Sequence, residues 1–69
     1  MGAMKIVING QEREVGAGTS VVGLVGTLGL DPRNVAVELN REIIKKPAYA
    51  STVLKEGDNL EIVHFVGGG

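Results

Sequence analysis

Few residues of this chain could do chemistry, and the reactive group with no competing structural duty stands at its end. The sequence runs Glu61-Ile-Val-His-Phe-Val66 and then Gly67, Gly68 and Gly69. Glycine lacks a Cβ and has the largest backbone entropy of any residue. The three are therefore expected to be mobile in the free protein and, when extended, to reach roughly 10 Å from the body. They form the thinnest peptide that can thread a narrow channel. At the tip, the Gly69 α-carboxylate has an expected pKa of about 3.3–3.7 and is ionised at neutral pH. An ionised carboxylate resists nucleophiles, so chemistry there needs prior activation. Glycine-rich ends are also ordinary frayed ends; this one differs in following directly on an apolar run that reads as a core strand.

The other chemically capable residues have plainer explanations. Gly16-Ala-Gly-Thr-Ser20 precedes a helical pattern, where anions can bind, but it lacks the lysine and the spacing of a phosphate-binding loop. Thr19 there reads as a helix N-cap. His64 is the one histidine, with no second His or Cys to complete a metal site; it reads as a partly buried or partner-facing strand residue. Glu12, Glu14, Glu38 and Glu42 could be drawn as acid–base pairs, yet each falls on an expected polar strand face or turn. There is no cysteine, hence no thiol nucleophile, redox pair or sulfur carried on a side chain. With no room for a substrate cavity, the chain reads as a non-enzyme with no bound cofactor and no metal.

Composition narrows the setting. Sixty-nine residues make one domain, which at this size buries only about 60% of its unfolded surface and needs a continuous core. The only aromatics are Tyr49 and Phe65, so aliphatic side chains must fill that core. The net charge of −1 gives no basic footprint for nucleic acid and no polybasic membrane patch. No apolar run approaches the length of a signal peptide or membrane span, and a cytoplasmic location is expected. Residues 1–3 read as a leftover extension before a natural start at Met4, residues 4–66 as the domain and 67–69 as the tail.

The elements that must position this tail follow from periodicity. Met4, Ile6 and Ile8 alternate along a strand, and Asn9-Gly10 is a type I′ hairpin signal that returns the chain through Gln11 to Val15. Val21, Leu24, Val25 and Leu28 recur at helical spacing. Gly23 and Gly26 weaken that helix by about 1 kcal/mol each relative to alanine, so packing has to hold it. Gly29 suits the C′ position, and Asp31-Pro32 marks the stop. Val35, Val37 and Leu39 face inward on the next strand, with Glu38 outward. Asn40-Arg41 reads as a tight turn into the short strand Glu42 to Ile44. Lys45 to Val53 is an irregular crossover with a helical turn, Glu56 to Asn59 a turn cluster, and Leu60 to Val66 the last strand. With one helix covering one face, the first and last strands should lie parallel and adjacent in mid-sheet, joined by right-handed crossover. That is an α+β fold, a β-grasp: a mixed sheet of four or five strands with one main helix. Leu60 and Ile62 should face the helix, and Val63 and Phe65 the uncovered face, a candidate docking patch beside the tail.

A β-grasp ending in Gly-Gly resembles the ubiquitin-like proteins. Val35-Ala-Val-Glu-Leu-Asn40, Ile43-Ile44 and Glu56-Gly-Asp-Asn-Leu-Glu-Ile-Val-His-Phe-Val-Gly-Gly-Gly69 are most similar to the ThiS family of sulfur carriers in thiamin thiazole synthesis. The likeness runs from Met4 to the end, and the final stretch is its specific part. It implies that an E1-like adenylyltransferase of the ThiF type uses ATP to convert the Gly69 carboxylate to an acyl-adenylate. A sulfur donor such as a cysteine desulfurase then leads to a thiocarboxylate, whose sulfur passes to a ThiG-type thiazole synthase. Gly68 and Gly69 carry over as the family's tail, Gly67 less strictly, and Val63, Phe65 and Val66 are the expected partner contacts. Two alternatives stay open: the small subunit of molybdopterin synthase, and an interaction module whose tail is never modified.

Overall fold

The computed structural model describes residues 2–65. The expectations placed on Val66, Gly67, Gly68 and Gly69 lie outside the described residues. Among those residues the order is β1 (Ala3–Ile8), β2 (Gln11–Gly16), α1 (Val21–Thr27), β3 (Val35–Leu39), β4 (Glu42–Ile44) and β5 (Asn59–His64), with single 3₁₀ turns at Pro32–Asn34 and Lys46–Ala48. The five strands form one sheet in the order β2-β1-β5-β3-β4. β1 and β5 are parallel neighbours, while the other pairings are antiparallel. The expected β-grasp is thus present, with the last strand central.

Both hairpins have the turn geometry their residues favour. Asn9 and Gly10 lie at φ 50° and 83°, Asn40 and Arg41 at φ 51° and 73°, which are the positive values a type I′ turn requires. Arg41 therefore occupies a left-handed conformation that costs a side-chain-bearing residue about 1–2 kcal/mol. The strand pairing on either side outweighs it.

The helix is short, and its ends are tied down. Ser20, not Thr19, is its N-cap: the Ser20 Oγ accepts from the Gly23 N–H at 3.1 Å. The Thr19 hydroxyl instead donates back to the Gly16 carbonyl at 2.6 Å, closing the preceding turn. The first two N–H groups of the helix go to the crossover segment, Val21 to the Thr52 carbonyl at 2.9 Å and Val22 to that of Tyr49 at 3.0 Å. At the other end Gly29, at φ 77°, donates to Gly26 and Leu30 donates to Val25, a Schellman closure. Gly29 thus ends the helix as expected, and Asp31, just beyond, caps the following 3₁₀ turn.

Val21, Leu24 and Val25 are fully buried against Ile6, Val35, Val37 and Leu60 of the sheet, and Tyr49 and Leu54 of the crossover close the side. Leu28 packs only at the margin of this core. Burial of each such side chain contributes about 1.5–3 kcal/mol, which offsets the poor propensity of a helix containing Gly23 and Gly26. The first strand begins one residue before the expected Met4: Ala3 pairs with Gly16 and the Gly2 carbonyl accepts from Ala17.

Candidate functional site: the root of the tail and the open sheet face

The strand that leads to the glycines is held from both sides. β5 pairs with β3 over Val35↔His64 to Leu39↔Leu60, whereas its register with β1 covers only Val7↔Asn59 and Ile8↔Leu60. Where β1 turns away, the Asn9 side chain replaces the missing ladder. Its Oδ1 accepts from the Ile62 N–H at 2.8 Å and its Nδ2 donates to the Ile62 carbonyl at 3.1 Å. The amide of Asn9 thus acts as one more residue of backbone. Beyond the strand, the Phe65 N–H donates to the Asn34 carbonyl at 2.8 Å, so the chain is fixed up to the last described residue.

The start of β5 is organised by a buried carboxylate. Asp58 is 5% exposed; it accepts from the Lys55 N–H at 2.7 Å and the Asn40 Nδ2 at 3.0 Å. Asn40 Oδ1 accepts in turn from the Asn59 N–H at 2.9 Å. The sequence shows Asp58 and Asn40 as turn formers, and nothing in their spacing says that they meet. Both belong to residue types that bond local backbone, which was the available signal.

Alternation holds along β5. Leu60 and Ile62 are buried on the helix side, while Val63 and Phe65 are 54% and 51% exposed on the other. Val66, the third expected contact, lies outside the described residues. Ile43 of β4 joins this face at 75% exposure, a member that sequence reasoning missed because its register opposite Glu38 exists only in the folded sheet. Glu38, Glu61, Ala36, Ile43 and Val63 border a shallow hollow of about 230 Å³. His64 is exposed at the strand's end.

The remaining sequence candidates stay apart. The first N–H groups of α1 are all used within the chain, which removes the phosphate reading of Gly16 to Ser20. Among the described residues no three His, Cys, Asp or Glu side chains gather as metal ligands. No helix there is long and apolar enough to cross a membrane.

A small mixed sheet, one covering helix and a central last strand running toward paired glycines define a ubiquitin-like β-grasp protein. A sequence model of the ThiS family matches residues 6–69, and the chain belongs to that family. It is 44% identical over 50 residues to the sulfur carrier protein ThiS of Bacillus subtilis, covering 72% of this chain and 76% of that one. The crystal structure of the thiamine biosynthesis protein ThiS from Geobacter metallireducens superposes with a TM-score of 0.81 at 33% identity, covering 96% of this chain and 100% of the other. A protein named thiazole synthase from Paramagnetospirillum magneticum is 54% identical over 66 residues, which are 96% of this chain but only 20% of that relative's length.

Proposed function

We propose that this protein is a sulfur carrier of thiamin biosynthesis whose working group is the Gly69 carboxylate, with Gly67 and Gly68 as its tether. An E1-like adenylyltransferase of the ThiF type transfers AMP from ATP to the carboxylate and releases pyrophosphate, which supplies the leaving group a bare carboxylate lacks. A donor persulfide, such as one formed on a cysteine desulfurase, attacks the acyl carbon with its terminal sulfur and displaces AMP to give an acyl disulfide. A thiol reductant then cleaves the S–S bond, leaving the thiocarboxylate and the donor's cysteine thiol. A ThiG-type thiazole synthase then takes the sulfur. The chain is a co-substrate of these enzymes rather than a catalyst, and ATP is bound by the activating partner.

The observation that carries this reading is family membership together with the placement of the root. β5 lies between β1 and β3, and Asn9 and Asn34 bind its end, so whatever follows Phe65 is presented from a fixed point. Val63 and Phe65 stand exposed beside it as contacts for the enzymes, with Val66 next in sequence. The thiazole synthase partner is supported by the relative of that name which contains a stretch like this whole chain.

Intact mass spectrometry tests the reading. Incubation with ATP and a ThiF-type adenylyltransferase should add one AMP to a chain ending at Gly69, and a sulfur donor should then exchange one oxygen for sulfur. A variant with one residue added after Gly69 should keep its unfolding midpoint and give neither product. Activation of that extended variant, or no AMP adduct on the native chain, would overturn the proposal. Capture of a molybdopterin synthase large subunit in place of thiazole synthase would move the chain to the other pathway.

A further inference from the structure

The open face of the sheet carries a charge arrangement that sulfur carriage does not account for. In the β3–β5 ladder Glu38 stands directly across from Glu61, and both are exposed. Opposed residues of this kind hold their Cβ atoms about 4.5–5.5 Å apart, and like charges there weaken the sheet. The ion pair found among the described residues, Asp31 with Arg33, lies elsewhere and does not relieve them. The two carboxylates border the same hollow as Ala36, Ile43 and Val63, so an apolar floor ends in a double negative charge.

Size and chemistry say what fits. At about 230 Å³ the hollow is smaller than the roughly 300–1,000 Å³ of small-molecule sites, and suits one side chain. A long aliphatic stem on Ala36, Ile43 and Val63, with a cationic head between two carboxylates, matches it. Glu12 and Glu14 lie on β2, beyond β1, with Glu14 opposite Lys5, so the negative charge at the hollow is that of Glu38 and Glu61 alone. A nucleic acid or an anionic lipid surface would be repelled, and a second copy of this chain would bring the same carboxylates.

We infer that this hollow is a socket for one arginine or lysine side chain of the activating adenylyltransferase, and that Glu38 and Glu61 recognise that cation. The inference rests on the carrier reading for the partner's identity. It assigns to the two glutamates a repulsion in the free protein that docking relieves.

Binding of E38Q, E61Q and the double variant to a ThiF-type adenylyltransferase, by calorimetry at low and high salt, provides the test, with urea unfolding of each free chain. Each single variant should bind about three- to tenfold more weakly at low salt, as loss of a charge pair at an interface does. The native chain's affinity should fall more steeply with salt than the double variant's. The free variants should unfold at higher urea than the native chain. Unchanged or tighter binding, equal salt slopes, or a lower urea midpoint for E61Q would overturn the socket, as would self-association of the native chain through this face in sedimentation. A native chain that binds with this dependence yet gains no AMP would sink the tail chemistry and leave the socket standing. Adenylation with binding indifferent to both substitutions would do the reverse.

Discussion

Single side chains decide how firmly the tail's root is held. Asn9 combines two roles that separate experimentally: its φ of 50° shapes the hairpin, and its amide clamps Ile62. Asn9→Gly keeps the turn and removes the clamp. It should lower the unfolding free energy by about 1–3 kcal/mol, the cost of leaving a backbone pair unmet, and speed amide exchange at Ile62. An unchanged midpoint would show the clamp to be idle. Asp31 supplies a pH test at the same scale. The hydrogen bond from the Arg33 side chain, followed by that from its backbone, lowers the Asp31 pKa from 3.8 to about 2. Because the folded value lies below the unfolded one, the pair's contribution is complete above the ordinary carboxylate range and fades as pH falls toward 2. NMR titration of Asp31 should show the low midpoint, and Arg33→Ala should return it toward 3.8. Arg33 is 85% exposed and Asp31 35%, so solvent screens the pair and the unfolding midpoint at neutral pH should barely move.

At the scale of elements, the helix is the least self-sufficient part. Two of its seven residues, Val21–Thr27, are glycines. They are not equivalent to the one that ends it. A Cβ at Gly26 would meet nothing within 4 Å, whereas Gly29 stands at φ +77°. Gly26→Ala should therefore stabilise the protein by up to about 1 kcal/mol, and Gly29→Ala should destabilise it by about 1–2 kcal/mol, both read from urea midpoints. Equal effects would mean that the Schellman end does not fix the helix. The residue types made most of these elements legible. The alternation of Met4, Ile6 and Ile8, the asparagines at two tight turns and the helical recurrence of Val21, Leu24 and Val25 each found its element. The N-cap was off by one residue, because Thr19 and Ser20 are both good caps. Only the direction in which the crossover approaches selects Ser20.

For the whole molecule, the two faces of β5 differ, one built into the core and the other left exposed. Leu60 is completely buried in the core, while Val63 on the opposite face is 54% exposed. Leu60→Ala should cost about 2–5 kcal/mol, a large share of what a chain of this length possesses, and should leave a measurable unfolded fraction by circular dichroism. Val63→Ser should leave the unfolding midpoint nearly unchanged and, on the proposed function, weaken binding to a ThiF-type adenylyltransferase. A Val63→Ser protein that unfolds early would place this face in the core's service. One fixed scaffold with one open face suits the proposed carrier role.

By itself the sequence determined the strand and helix pattern, both asparagine-led turns, the side of the last strand that enters the core and the family, since each is written in local residue type and period. Tertiary structure decided that Asn9 grips Ile62, that Asp58 meets Asn40, that Ile43 joins Val63, and that Glu38 faces Glu61. Those pairs are set by register between strands distant in the chain. Register follows from how the whole core closes, so no stretch of sequence read alone contains it.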